Sequence, residues 1–291
     1  MSRISPWRCL AALICLLALA PTCLAQPIVV TDDRGRRVRL AAPARRIVAL
    51  APNLAELTYD AGAGAALAGV VRGSDYPASV ARLPTVGDAA GIDLERVLAL
   101  RPDLVLAWLS GNRASDLERL ERLGIPVFGS EPQRLRDVPA TLRRLGELAG
   151  TQAPAERAAL AFEAGLARHS ARTQVPAVPV FVQIWDAPLM TVNERHLISD
   201  MLSTCGGRNV FADLPTLAGS VSLEAVLAAD PAVIIVATGP GQDPTAAWRR
   251  LPRLRAVQAG RVYPIDPDLI SRATPRILDG VELVCGWLRG V

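Results

Sequence analysis

Two stretches decide the fold: "IDLERVLALRPDLVLAW" (92–108) and, 129 residues later, "VSLEAVLAADPAVIIVA" (221–237). Glu95 falls on Glu224, Val97-Leu98-Ala99 on Val226-Leu227-Ala228, and Pro102 on Pro231. Each reads as a short helix, a proline-bearing turn and an apolar strand. The surrounding chain keeps the same alternation. "RIVAL", "LAGVV", "DLVLAW" and "IPVFGS" read as strands, with "NLAELTYDAG", "LERVLAL", "ASDLERLERLG" and "LRDVPATLRRLGELAG" as helices between and after them. Asn53 is the expected N-cap of the first helix. "VPVFVQIW", "AVIIVAT" and "RVYPID" repeat the strand pattern in the second half, with helices over "ERHLISDMLSTCGG", "SLEAVLAAD" and "TPRILDGVELVCGWLRG". Short apolar strands separated by helices indicate parallel βα units rather than a sandwich. A hairpin turning at Asp33-Arg34-Gly35 precedes them.

Between the halves lies "QAPAERAALAFEAGLARHSART" (152–173), rich in alanine, with Gly165 its one glycine. As a helix it would be about 33 Å long, a strut rather than a flexible linker. The expected architecture is α/β, with two Rossmann-like lobes, 26–151 and 176–291, bridged by one long rigid helix within 152–175. Residues 1–25 read as a signal peptide. "MSRISPWR" carries two arginines, "CLAALICLLALA" is apolar but too short to span a bilayer, and cleavage is expected after Ala25. The mature chain is then an exported protein without stable membrane insertion.

Cys9, Cys15 and Cys23 leave with the leader, so the mature chain keeps Cys205 and Cys285. An even pair in an oxidising compartment predicts a disulfide between them. The net charge of +4 falls to about +2 without Arg3 and Arg8, and every basic residue is arginine. No basic run or zinc-finger spacing supports nucleic-acid binding. Enzyme signatures are also missing, with no GxSxG, HExxH or CxxC, and "GAGAAL" (62–67) lacks the third glycine of a dinucleotide fingerprint. The two histidines, His169 and His196, fall on the connecting helix and at a helix start, where surface or capping roles are expected.

Asp93 and Ser222 are N-cap residues, which puts Glu95 and Glu224 in the first turns of their helices, where the dipole favours a negative charge. Trp108 and Trp185 close apolar strands, and ligands of open α/β sheets sit beyond such strand ends. Tyr76 follows "LAGVV" at a similar level. Trp248 lies in the polar stretch "GPGQDPTAAWRR", where little core is expected for it, whereas Trp287 reads as packing within the last helix.

In order and spacing, "SDYP" (74–77), "GIDLERVLALRPDLVLAWLSGN" (91–112), "TCGGRNVF" (204–211), "VSLEAVLA" (221–228) and "SRATPRI" (271–277) resemble the periplasmic cobalamin-binding proteins of ABC importers. These belong to the helical-backbone (class III) substrate-binding proteins, and the resemblance runs from about Arg46 to Gly286. It implies a corrinoid (cobalamin or cobinamide) held between the lobes as transported cargo, without a cofactor or a resident metal. It also implies a monomer that delivers the cargo to an inner-membrane permease and its ATPase. Tyr76, Trp108, Asp268 and Arg272 match ligand positions of the family, and Met190 matches an apolar cleft position. Trp185 and Trp248 join them by placement. Glu95 and Glu224 match the two glutamates that such proteins present to permease arginines. Compared with one member, Ala89 replaces a tryptophan, and Leu217 or Ala218 replaces an aromatic. A haem or ferric-siderophore protein on the same scaffold is the alternative, for which Tyr76 would be the axial candidate and Arg272, Arg72 and Arg113 the anion-binding ones.

Overall fold

The computed structural model describes residues 26–88, 90–170, 176–239, 243 and 245–291. The expected leader over residues 1–25, Ala89, and residues 171–175 at the end of the bridging segment lie outside the described residues. The entry hairpin pairs β1 (Ile28–Thr31) with β2 (Arg37–Leu40). In the N-terminal lobe follow β3 (Ile47–Ala49), α1 (Pro52–Thr58), β4 (Leu67–Val70), the two-residue strands β5 (Gly87–Asp88) and β6 (Gly91–Ile92), α2 (Leu94–Ala99), β7 (Leu104–Trp108), α3 (Ala114–Arg122), β8 (Val127–Ser130) and α4 (Asp137–Ala149). Then comes the strut α5 (Gln152–Ser170). The C-terminal lobe runs through β9 (Val178–Gln183), β10 (Trp185–Asp186), β11 (Leu189–Val192), α6 (Leu197–Thr204), β12 (Gly207–Asn209), β13 (Ala218–Ser220), α7 (Leu223–Ala229), β14 (Val233–Ala237), α8 (Thr245–Arg249), α9 (Arg255–Gln258), β15 (Val262–Ile265), α10 (Pro267–Ser271) and α11 (Ile277–Leu288).

The duplication in the sequence is a duplication of topology. One sheet is ordered β4-β3-β7-β8 and the other β12-β9-β14-β15, and every pairing in both is parallel. Numbered within its own lobe, each sheet runs second-first-third-fourth. The two repeated stretches, α2–β7 and α7–β14, supply the third strand of each. Strands buried on both faces need continuous apolar runs. Leu104 to Ala107 and Val233 to Val236 are buried accordingly.

Helix α5 has 19 residues, or about 28 Å at the usual rise. Its internal glycine has a packing reason. A Cβ on Gly165 would stand 2.5 Å from Leu278 Cδ1 of α11, so glycine lets the strut approach the second lobe there without displacing that leucine. Ala155, Ala159 and Phe162 on the other turns join a single apolar core that runs without a break from Leu54 in α1 to Ile277 in α11. Cys205, capping α6, is bridged to Cys285 in α11, closing a loop of 80 residues. Loop entropy gives such a bridge about 4–5 kcal/mol.

Two local expectations are corrected. Asn53 is not an N-cap: Pro52, whose fixed φ suits a first helical turn, starts α1 one residue earlier, with Ala51 as its cap. "VFVQIW" is not one strand. It breaks after Gln183, and Trp185-Asp186 turns back through Ala187-Pro188 to pair antiparallel with β11, which in turn pairs with β13.

Candidate functional site: the inter-lobe cleft

In an open parallel sheet the crevice forms where the strand order reverses, beyond the carboxyl ends. In the first lobe that point lies between β3 and β7. Pro52 and Asn53 follow β3, Trp108 ends β7, and Glu131 and Gln133 follow β8. Together they form one wall of a cavity of about 240 Å³. The second lobe supplies the facing wall from Arg195, His196 and Leu197 at the start of α6, from Leu217, and from Ser271, Arg272 and Ala273 at the end of α10 and just beyond it.

Trp108 is held ready at this wall. Asn112 Oδ1 accepts its backbone N–H at 2.8 Å, and Glu131 Oε1 accepts the indole N–H at 3.3 Å. Glu131 also accepts from the Ser110 backbone N–H and hydroxyl at 2.7 and 3.0 Å. The indole lies directly on Gly111, where a Cβ would stand 2.0 Å from the ring. One indole face packs on the loop while the side chain stays 40% exposed.

Below the cavity an ionic cluster crosses from lobe to lobe. Glu56 of α1, 1% exposed, pairs with Arg272 at 2.6 Å and with Arg276 at 3.2 Å. The latter Nε–Oε2 contact lacks hydrogen-bond alignment, while Arg276 Nη2 donates to Glu56 Oε1 at 3.5 Å. Arg272 also donates to Asp75 at 3.0 Å and to the Gly73 carbonyl at 3.1 Å, and its Nε meets Asp268 at 2.9 Å. Four partners leave its five-donor guanidinium little to offer a ligand. Arg276 covers the Tyr76 ring at 4.0 Å, a cation–π contact. Burial raises the Asp268 carboxyl above the usual range against the pull of Arg272.

Burial, and then the charge of Glu56, push Asp60 up to about 6. A carboxyl raised above its unfolded value favours the protonated fold. Its contribution is therefore fully present below about pH 4 and is lost as pH rises through 6. Asp60→Asn should remove this decline, so the stability gap between variant and parent in urea unfolding should be wider at pH 7 than at pH 4.5. An equal gap at both pH values would contradict the assignment.

Of the residues expected from sequence, Trp108 and Arg272 line the cavity, with Asp268 and Tyr76 tied to it through the ionic cluster. Trp185, 61% exposed, and Met190 are register partners on the β10–β11 hairpin and lie off the cavity wall. Trp248 is a correction. Its loop contains α8, which presses the indole into the core at 4% exposure, edge-on to Phe181 at 5.5 Å, with its N–H donated to Gln183 at 2.9 Å. It has no face to show a ligand. Trp287 stacks on Tyr263, 4.7 Å between centroids. Glu56, Arg276, Asn53, Glu131 and His196 were not singled out for the site by sequence. A signal existed for two of them: Glu56 is an acid among apolar Leu54, Ala55 and Leu57, and Arg276 follows Arg272 by four residues.

Glu95 and Glu224 are exposed in the first turns of α2 and α7. Asp93 caps one helix, accepting from the Arg96 N–H at 3.1 Å, and Ser222 caps the other, accepting from Ala225 at 3.2 Å. Hydrogen bonds from its own backbone N–H and from Ser222 hold the Glu224 carboxyl below the usual range. Leu98 and Leu227, again 129 residues apart, are exposed beside them at 37% and 38%. Among the described residues no cluster of His, Cys, Asp and Glu could hold a metal ion, and no helix is long and apolar enough to cross a membrane.

Two matched α/β lobes on a helical strut, with a cavity at their facing strand ends, define a bilobed binding protein. The chain belongs to the periplasmic binding protein family, which it matches over residues 47–269. Among its relatives, a vitamin B12-binding protein of Pectobacterium carotovorum is 38% identical over 247 residues, 84% of this chain and 88% of that one. One of Vibrio parahaemolyticus is 34% identical over 252 residues, 86% of this chain and 91% of that one. The crystal structure of the periplasmic vitamin B12 binding protein BtuF of Vibrio cholerae superposes with a TM-score of 0.78 at 32% identity, covering 85% of this chain and 97% of the other. A periplasmic haem-binding protein of Pseudomonas aeruginosa gives 0.74 at 26% identity, covering 84% and 92%.

Proposed function

We propose that the mature protein, exported with cleavage after Ala25, captures a corrinoid between its lobes and hands it to an inner-membrane ABC permease and its ATPase. It acts as a monomer and carries out no reaction on its cargo. The observation that carries this reading is the cleft: an indole held ready at the switch point of one lobe faces hydrogen-bonding groups of the other, in a chain whose relatives are named for vitamin B12. A corrinoid is a broad ring edged with amides. Trp108 offers it a flat apolar face, Asn53, Gln133 and Ser271 offer polar contacts, and the remaining N–H of Arg272 is a further donor. The cavity of about 240 Å³ takes one edge of such a ring. The rest lies in the open mouth, where Tyr76, Trp185, Met190 and Asp268 are available.

Titration with cobalamin, cobinamide, haem and a ferric siderophore tests this. Corrinoids are expected to bind below micromolar, with the other two weaker. Trp108→Ala should lower corrinoid affinity about tenfold, the size of a lost aromatic stacking contact. If no corrinoid binds below micromolar and haem or a siderophore does, the cargo assignment is wrong although the scaffold stands.

A further inference from the structure

His196 is the cavity residue whose chemistry is most constrained by its surroundings. It is the N-cap of α6, with extended backbone (φ −80°, ψ 144°), and its Nδ1 accepts the Ile198 backbone N–H at 3.1 Å. A nitrogen accepting that bond must carry a lone pair, so the proton of a neutral imidazole sits on Nε2. Protonating Nδ1 would set N–H against N–H and place a cation at the positive end of a helix. Burial reinforces the neutral form, lowering the imidazole to about 4. The imidazole lines the cavity beside Arg195 and Leu197, and among the described residues Nε2 has no hydrogen-bond partner.

We propose that His196 is a tautomer-locked donor of the cleft: the helix cap fixes the proton on Nε2, which offers it to an amide carbonyl on the rim of the cargo. The same lock bars His196 from serving as axial ligand to a metal at the cargo's centre. Coordination through Nε2 would require moving its proton to Nδ1 and forfeiting the cap. The residue thus suits a guest edged with carboxamides and gives no purchase to one that depends on imidazole–iron bonding. The cargo half of this proposal rests on the corrinoid reading above, whereas the lock does not.

Long-range nitrogen–proton correlation spectra of the ligand-free protein test the lock directly. Nδ1 should appear as the bare, pyridine-type nitrogen and Nε2 as the protonated one, and the reverse assignment would overturn the lock. His196→Asp keeps a competent cap and, as an acceptor-only carboxylate, withdraws the side-chain donor. It should melt like the parent and bind cobinamide about three- to tenfold more weakly, the worth of one neutral hydrogen bond. The visible band of aquocobinamide should not shift to the imidazole-ligated position on binding the parent. Unchanged affinity in the variant, or an imidazole-type band shift that the variant abolishes, would refute the donor role. If the parent binds no corrinoid at all, the cargo reading fails and the spectra alone decide the lock.

Discussion

Reversing both first-turn glutamates, Glu95→Arg with Glu224→Arg, is expected to abolish cargo delivery through the permease while leaving cargo affinity unchanged, because we propose that these two carboxylates dock on the permease. The two glutamates occupy equivalent exposed positions on helices that feed the third strand of each sheet. A two-fold permease presents the same surface twice, so a partner with matched lobes needs matched charges at matched places. Leu98 and Leu227 repeat with the same spacing and would extend each proposed contact with a small apolar patch. Reversal turns attraction into repulsion at both contacts, and like-charge juxtaposition across an interface costs several kcal/mol. The fold should tolerate it, because a fully exposed first-turn glutamate contributes little to its helix once solvent screens it. Uptake into cells or vesicles, set beside calorimetric titration of the same variant, checks both halves. Undiminished uptake would reduce the glutamates to partners of the helix dipole.

The second large effect concerns Glu56. Glu56→Gln should lower the unfolding free energy by about 3–5 kcal/mol, the range found when one member of a buried ion pair is removed and its partner stays behind. Glu56 is 1% exposed and faces two guanidiniums from the other lobe. Arg272 would keep Asp75 and Asp268, so the loss should fall chiefly on Arg276, whose remaining carboxylate is Asp268 at 3.6 Å. Urea unfolding measures the change. A loss below 1 kcal/mol would mean that the cluster is solvated enough to re-pair. Relief of the charge on Asp60 should also bring its carboxyl down, flattening the pH dependence described above.

The fold was legible because its evidence is local and repeated. The α2–β7 and α7–β14 stretches carry their periodicity within 17 residues each, and a duplicated pattern identifies two lobes before any long-range contact is known. The site was legible where a rule ties position to role, as it does for Trp108 at a strand end. It was hidden where partners are remote. Glu56 and Arg272 are 216 residues apart, and neither sequence neighbourhood hints at the other. Trp248 misled for a related reason. The prolines, glycines and arginines around it look like a surface loop, while its packing partner Phe181 lies on a distant strand. His196 has one of the two roles expected of it, a cap, but the cavity beside it exists only because the other lobe supplies the facing wall.

The apolar core that continues beneath the cleft, from Leu54 through the strut to Ile277, has a consequence for traffic. Jaws rooted in a common foundation resist swinging apart, so on the carrier function proposed above loading would alter the mouth through exposed side chains such as Trp108 and Trp185 more than the outline of the molecule. On that proposal, vacant and laden carriers would offer a transporter nearly the same silhouette and compete for the same berth. Net flux depends on the proportion of carriers that arrive full.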